Sequence, residues 1–164
     1  MMGECLEGAK SYEHKQSSPL FFTLILFSAA MAILGWLSAG DSIAFASLFV
    51  AAAVFLLLAF CFNSLTISIW QDRLVLRYGP VPVFRARLDL SKIETVEVGR
   101  TAVVDDWGIH YIPFRGWTFN LWGFSCIKVK YRDGVIRIGS NDAENLADRL
   151  RAEISRQKSI QISA

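Results

Sequence analysis

The sequence predicts a membrane-spanning α-helical hairpin followed by an all-β or α+β domain that ends in one helix. Two apolar segments lie close together, at 20–39 and 43–62, and each has the length that crosses a ~30 Å hydrocarbon core as a helix. After residue 62, apolar and polar residues alternate, which is typical of strands with one buried face. Near the end of the chain, apolar residues recur every three or four positions, as in an amphipathic helix.

Residues 1–19 precede the first apolar segment and are predicted to form a disordered leader. They are polar and carry two Lys against three Glu, with no apolar period. Pro19 suits the first turn of a helix, where its missing N–H costs nothing. A cleaved signal peptide is the alternative. However, the apolar run is longer than the roughly 7–15 residues of a signal peptide, and a second apolar segment follows closely.

The apolar segments 20–39 and 43–62 are predicted to pack as antiparallel helices, because the connector 40–42 is short. Asp41 is the only formal charge in residues 20–62. Small residues let helix backbones approach in lipid, and they recur at helical spacing on both segments. Packing within the hairpin is the expected use of this stripe, and association of hairpins in a homo-oligomer is the alternative. The stripe consists of Ser28, Ala32, Gly35 and Ala39 on the first helix and Ala44, Ser47 and Ala51 on the second.

Charged residues that flank the hairpin predict its orientation. Lys10 and Lys15 precede it, Arg73 and Arg77 follow it, and the connector has neither Lys nor Arg. Cytoplasmic segments next to a membrane are enriched in these residues. We therefore expect a multi-pass protein of the cytoplasmic (inner) membrane with both termini in the cytoplasm. Cys5, Cys61 and Cys126 lack metal-site spacing and are expected to be unpaired thiols.

Residues 63–164 are predicted to form one β domain. Strands are expected at 63–70, 73–78, 83–88, 93–98, 126–131 and 135–138. Their connections include hairpin turns such as Asp133-Gly134, which favours an antiparallel sandwich or barrel. A closing helix is expected at 141–157, since Asn141 and Glu144 have the spacing of a capping box. Its apolar stripe is Ala143, Leu146, Ala147, Leu150 and Ile154.

Basic residues in this domain form the first candidate binding surface. Residues 63–164 hold fifteen Lys or Arg against eleven Asp or Glu, an excess too small to predict nucleic-acid binding but suited to an anionic membrane surface. Alternation places Arg73, Arg77, Arg85 and Arg87 on the face opposite the apolar side chains. A three-residue loop would set Arg73 opposite Arg87. We expect this surface to meet anionic lipid headgroups or an acidic partner.

Aromatic residues crowd the segment 106–124, where glycine and proline interrupt any long element. Trp side chains favour the boundary between membrane and water. We therefore expect Trp107, Trp117 and Trp122 to combine core packing with interfacial contact.

His110 is the only histidine of the β domain, and Asp105 and Asp106 are close to it in sequence. A His–Asp pair can act as a general base, so a membrane-bound enzyme is the alternative function. No nucleophile elbow, phosphate-binding loop or zinc motif accompanies this pair. We expect His110 to be a structural residue, and the sequence predicts no catalytic residue, cofactor or metal site.

The order of motifs resembles the bacterial pleckstrin-homology-like domain family, and in particular small two-span membrane proteins that carry one such domain. The resemblance covers about residues 63–156. It implies bacterial origin and a seven-stranded, two-sheet β-sandwich or open barrel capped by the C-terminal helix. The residues that carry it are Trp107-Gly108-Ile109, Gly116-Trp117, Asn120, Asp133-Gly134, Ile138-Gly139 and Asp142.

Two departures from the family limit what the resemblance implies. His110 stands where an arginine is expected after Trp-Gly-Ile. The first hairpin loop is only Gln71-Asp72, whereas phosphoinositide-binding relatives use a long basic loop there, so inositol-lipid recognition is not expected. The predicted function is a membrane-anchored binding or assembly module. Its partner is another copy, a membrane protein or lipid headgroups.

Overall fold

A computed structural model of the chain describes residues 10–101, 108–113, 116–131 and 134–162. It contains two apolar helices, two β-sheets and a C-terminal helix, so the α+β class is correct. In chain order the elements are β1 (Tyr12–Ser17), α1 (Leu20–Leu37), α2 (Ser42–Cys61), β2 (Ser64–Ile69), β3 (Arg73–Tyr78), β4 (Arg85–Asp89), β5 (Ile93–Arg100), β6 (Gly108–Ile112), β7 (Gly116–Asn120), β8 (Ser125–Tyr131), β9 (Gly134–Gly139) and α3 (Ala143–Ile162).

Helices α1 and α2 are each long and apolar enough to cross a membrane. Their mean hydropathies are 2.3 and 2.7, and only 11% of each 18-residue window is buried, whereas the core helix of a soluble protein is mostly buried. Asp41 begins α2 as an N-cap, because its carboxylate accepts hydrogen bonds from the backbone N–H groups of Ile43 and Ala44.

The contact between α1 and α2 follows the predicted stripe in part, and Ala39 of that stripe is exposed after the end of α1. Gly35 is buried against Phe49 and Leu48, and the Ser28 hydroxyl donates to the Ala52 carbonyl at 2.8 Å. On α2 the prediction of Ser47 is wrong, since that side chain is exposed. The face of α2 that carries the buried Ala52 lies against α1 instead.

The first sheet has the antiparallel order β1-β2-β3-β4. Its β1 strand lies in the predicted disordered leader, so that prediction is wrong for Tyr12–Ser17; residues 1–9 lie outside the described part of the chain. β1 pairs with β2 from Tyr12 opposite Ile69 to Ser17 opposite Ser64. The helical hairpin is therefore inserted between two paired neighbouring strands.

The inward side chains of β1 are polar, which explains why its sequence resembles a disordered tail. The Tyr12 hydroxyl donates to the Asp142 carboxylate at 2.8 Å, and His14 Nε2 lies 2.6 Å from Asn141 Oδ1. The Gln16 amide donates to the Gly139 carbonyl at 3.1 Å and accepts from the Asn141 N–H at 3.0 Å. These hydrogen bonds tie β1 to the start of α3.

The second sheet has the order β5-β8-β9-β7-β6. Strands β7 and β9 run parallel, with Trp117 opposite Ile136, so the prediction of a wholly antiparallel domain is wrong for this pair. The described chain has nine strands where the family resemblance implies seven. Gly116, the first residue of β7, has a φ of +86°, and a Cβ there would collide with the Val135 carbonyl, so this position requires glycine.

The core lies between the two sheets and α3. The predicted stripe of α3 is confirmed as buried, and the helix extends to residue 162 instead of ending at 157. The Arg151 guanidinium donates twice to the Val96 carbonyl, at 3.0 and 2.9 Å, and so fixes α3 against β5. The largest buried side chains from the sheets include Leu65, Ile67, Ile69, Leu74, Leu76, Tyr78, Ile127 and Ile138.

The hairpin and the first sheet are packed directly against each other. Gly79 follows β3 with a φ of +59°, and a Cβ there would collide with the Phe60 carbonyl in the last turn of α2. The Phe62 ring lies 5.6 Å from Tyr78 and 5.4 Å from Phe84. The end of the sheet that carries Tyr78 and Phe84 is called the hairpin end below.

Candidate anion-binding site beside the helical hairpin

Strand register brings three basic residues into one line across the first sheet. Lys15 lies opposite Thr66, Thr66 opposite Arg77, and Arg77 opposite Arg85. Neighbouring strands are about 4.8 Å apart, so this line spans about 14 Å. Lys15, Arg77 and Arg85 are called the basic row.

The basic row lies on the outer face of the sheet. Side chains alternate along a strand, and the neighbours of Arg77 in β3, Leu76 and Tyr78, are buried in the core. Arg77, Arg85 and Lys15 are exposed. The outward orientation predicted for Arg77 and Arg85 is therefore confirmed.

The row also lies close to the hairpin. Lys15 is two positions before the end of β1, and Arg77 is two positions before Gly79, which contacts the last turn of α2. Two strand residues correspond to about 7 Å. The long side chains of Lys and Arg keep their charged ends in water or at an interface while their stems cover apolar surface.

The positive charges of Arg77 and Arg85 in this row are not paired with a carboxylate among the described residues. The Tyr78 N–H donates to the Phe84 carbonyl, so the next pair, Arg77 and Arg85, is a non-hydrogen-bonded pair with closely approaching side chains. Among the described residues no carboxylate lies within ion-pair distance of either guanidinium, and Arg85 Nε donates only to the Pro82 carbonyl, at 3.3 Å. Directly opposed like charges are unfavourable, so a bound anion would stabilise this pair.

The structure separates the four predicted arginines. Arg77 and Arg85 belong to the basic row, whereas Arg87 lies two residues farther along β4, opposite Val75. Arg73 lies at the other end of the sheet, opposite Asp89, and donates to both oxygens of Asp72 at 2.9 and 2.6 Å. This hydrogen bonding lowers the pKa of the Asp72 carboxyl below its usual value.

The predicted pairing of Arg73 with Arg87 is wrong because the loop after β3 has five residues, 79–83, instead of three. The prediction that this loop has an odd number of residues was correct. The apolar side chains of β3 and β4 therefore face the core, as expected. The Gly79 N–H donates to the Ser64 carbonyl at 2.6 Å, which holds the loop against β2 and shifts the β4 register by two residues. Lys15 was predicted only as a charge that flanks the hairpin and not as part of this surface, because its strand β1 was not predicted.

The loop 79–83 adds an apolar surface beside the basic row. Its sequence is Gly-Pro-Val-Pro-Val, and Val81 and Val83 are 40% and 58% exposed. Gly79 holds one end of the loop against α2. Apolar side chains flanked by basic ones are typical of segments that lie in the membrane interface.

The predicted interfacial tryptophans have different positions. Trp117 is 48% exposed and packs between Tyr111 and Phe119, with ring centroids at 5.6 and 6.2 Å. Trp122 is 41% exposed and Trp107 lies outside the described residues. Trp117 was expected to combine core packing with interfacial contact, and the structure places it on the wall of a groove between the two sheets. Its contact with a membrane interface stays a prediction.

His110 lies on β6 opposite Thr118, and its Nε2 is buried. Asp105 and Asp106, its predicted partners, are outside the described residues. Within the described ranges no group of three or more His, Cys, Asp or Glu side chains is arranged to hold a metal ion. Cys61 and Cys126 are both buried.

Comparison with known proteins adds no relative to these observations: no protein-family model matches the chain, and no curated protein matches it.

Proposed function

We propose that this protein is a membrane-anchored binding module of the bacterial cytoplasmic membrane and that its basic row binds anionic lipid headgroups. One observation carries the proposal: Lys15, Arg77 and Arg85 lie in line beside the end of an apolar helical hairpin, and no described carboxylate pairs with the two arginines. Under this proposal the hairpin anchors the domain and the row holds it against the lipid surface.

Electrostatics gives the expected size of this interaction. Each basic residue near an anionic membrane surface contributes about 1 kcal/mol, so the three residues of the row contribute about 3 kcal/mol. The attraction falls off within a Debye length and is weakened by salt. Exposed Val81 and Val83 in the loop 79–83 would add apolar contact at the same depth.

Orientation toward the cytoplasm follows from the flanking charges. Pairing of β1 with β2 puts both strands at the same end of the hairpin, and Lys10, Lys15 and Arg77 all lie in or beside these paired strands. The connector has no Lys or Arg. Because positive charge marks the cytoplasmic side, we place the β domain there.

Assignment to the pleckstrin-homology-like class is part of the proposal and rests on architecture. Two packed sheets and a C-terminal helix across the core support it. The nine described strands and the parallel β7–β9 pair differ from the simplest form of that fold. The binding role proposed here uses the basic row and does not depend on a phosphoinositide loop.

The experiment uses the full chain in lipid nanodiscs made of phosphatidylcholine, with or without anionic phosphatidylglycerol. We expect anionic lipid to raise the melting temperature of the wild-type protein and added salt to reduce that increase. The double variant Arg77→Glu/Arg85→Glu should lose the increase.

A matched control reverses two exposed charges elsewhere. Arg149 and Lys158 lie on α3, and the next residue to Lys158, Gln157, contacts Gln71 at the end of the sheet away from the hairpin. Arg149→Glu/Lys158→Glu should keep the response to anionic lipid. Equal responses of the two double variants, or a wild-type melting temperature independent of lipid charge, would contradict the proposal.

A further inference from the structure

A groove of about 330 Å³ separates the edge of the first sheet from the second sheet. Strand β4 and the residues just before it form one wall, and β6, β7 and β9 form the other. Eight of its nine lining residues are apolar, and the ninth is Arg85. Those that define its shape are Val83, Phe84, Ala86, Ile109, Trp117 and Phe119.

The walls of this groove are apolar but accessible. Val83 is 58% exposed and Trp117 is 48% exposed. Exposing apolar surface to water is unfavourable, and contiguous apolar surface of this kind marks binding sites. A mostly apolar cleft with one charged group at its rim is typical of sites for small amphiphilic ligands.

One wall of the groove reaches the hairpin end of the domain. Phe84, on its wall, contacts Phe62, the first residue after α2, at 5.4 Å. Val83 belongs to the apolar loop 79–83, which Gly79 holds against the last turn of α2. Apolar side chains therefore extend from the end of α2 to the wall of the groove.

The charge and the volume of the groove together indicate the kind of ligand that fits it. Arg85 lines the groove and is also a member of the basic row, so an anionic headgroup bound by the row would lie beside the groove. A volume of about 330 Å³ is near the lower end of the range for small-molecule pockets, about 300–1,000 Å³. A groove of this size suits a ligand with one acyl chain.

We propose that the groove binds one acyl chain of a single-chain anionic amphiphile from the membrane, with the headgroup at Arg85. The inference rests on the proposed function, since it takes the hairpin to lie in a bilayer and Arg85 to meet anions. It adds a defined ligand class and a defined site for the chain. A peptide strand paired with β4, or a second copy of the protein, would occupy the same space.

Photo-cross-linking of the full chain in maltoside micelles tests the proposal. The probe is a medium-chain fatty acid with a diazirine on its chain, and the cross-linked peptides are identified by mass spectrometry. We expect labelling of the segments that contain Val83–Leu88 and Trp117–Phe119, and competition by unlabelled lysophosphatidylglycerol. Labelling of α1 and α2 by probe in the micelle serves as the internal reference.

Two variants test the binding of the acyl chain and the binding of the headgroup separately. Ala86→Trp fills the groove and should remove most of the labelling of β4 and β7 while that of α1 and α2 persists. Arg85→Gln should lower groove labelling by the fatty acid about fivefold, and labelling by the matching neutral alcohol should not change. This second variant keeps the test valid if Ala86→Trp disturbs folding.

Labelling confined to α1 and α2, or groove labelling that ignores both variants, would overturn the inference. A groove occupied by a peptide strand or a second copy would also stay unlabelled and give that result. Such a failure leaves the nanodisc response to anionic lipid intact, because that response comes from the basic row. Failure of the nanodisc test together with charge-independent labelling of the groove would overturn the headgroup role of Arg85 in both proposals.

Discussion

Gly79 illustrates how one residue couples the apolar helical hairpin to the β domain. Its φ is +59°, a conformation that residues with a side chain disfavour, and a Cβ at this position would collide with the Phe60 carbonyl. Gly79→Ala should therefore destabilise the full chain by about 1–3 kcal/mol, the usual cost of a strained backbone position, with an added cost from the collision. Thermal unfolding in detergent micelles measures the change.

Gly40→Ala is the matched control for this prediction. Gly40 lies in the connector between α1 and α2, and a Cβ there meets no atom within 4 Å. The substitution should change stability by less than about 0.5 kcal/mol, as surface changes usually do. If the two alanine variants unfold alike, Gly79 does not hold the loop against α2 in the way described.

Tyr12 is predicted to stabilise β1 through its hydrogen bond to Asp142, at 2.8 Å. Tyr12→Phe should cost about 1–2 kcal/mol of folding free energy, because the acceptor is charged and the bond is partly buried. Burial, and then the hydrogen bond and charge of Asp142, raise the pKa of the Tyr12 hydroxyl above its usual value.

The sign of the pH dependence follows from that shift. A hydroxyl with a raised pKa in the folded state contributes its full stabilisation below the unfolded pKa, about 10, and loses it as pH rises further. The stability difference between wild type and Tyr12→Phe should stay constant up to about pH 10 and shrink above it. Chemical denaturation at several pH values measures this difference; a gap that widens above pH 10 would contradict it. Tyr78 is present in both proteins, so its own titration does not contribute to the difference in stability between them.

Residue-level prediction of the site succeeded where it depended on alternation and failed where it depended on register. Arg77 and Arg85 face outward as expected, because polar and apolar residues alternate in both strands. The residue predicted opposite Arg73 was wrong, since the length of the loop 79–83 depends on the contact between Gly79 and α2. That contact joins different elements, so the local sequence around the loop does not reveal it.

At the scale of elements, the helical hairpin replaces the turn of a β-hairpin. Ser17 and Ser64 are paired neighbours although α1 and α2 lie between them. Replacing residues 18–63 with Asn-Gly, a favoured two-residue hairpin turn, should therefore give a water-soluble domain that keeps both sheets. Circular dichroism and a cooperative thermal transition are the measurements.

A chain that begins at residue 63 is the control for this design. It lacks β1, so the edge of β2 is open for pairing with other chains and the contacts of Tyr12, His14 and Gln16 with the α3 region are missing. We expect aggregation or loss of cooperative unfolding. If this shorter chain is as stable as the Asn-Gly design, β1 is not an integral strand of the sheet.

The elements that were predicted share strong periodicity, and those that were missed lack it. Strand β3 and the apolar stripe of α3 could be identified because each element buries one face in the core. Their apolar residues therefore recur at the regular spacing of a strand or a helix. Strands β6 and β7 are five residues each, and the required Gly116 lies at the start of β7, so no long pattern develops. Strand β1 faces inward with polar groups whose hydrogen-bond partners are more than a hundred residues away.

At the scale of the whole molecule, pairing of β1 with β2 requires both strands to lie at the same end of the hairpin. The proposed orientation then puts the connector outside the cytoplasm. A cysteine-free background with Gly40→Cys should react with an impermeant maleimide in intact cells. Glu144→Cys, exposed on α3, should react only after the membrane is opened. The reverse pattern would contradict the orientation.

The central claim is that the basic row selects anionic lipid, and lipid retention tests it most directly. The full chain is released from bilayers of equal phosphatidylglycerol and phosphatidylcholine, and the retained lipids are counted by native mass spectrometry. Wild type and Arg149→Glu/Lys158→Glu should retain phosphatidylglycerol preferentially. Arg77→Glu/Arg85→Glu should lose about thirty-fold of that preference, the equivalent of about 2 kcal/mol from two basic residues. Equal retention of the two lipids by the wild-type chain, or an unchanged preference in Arg77→Glu/Arg85→Glu, would contradict the claim.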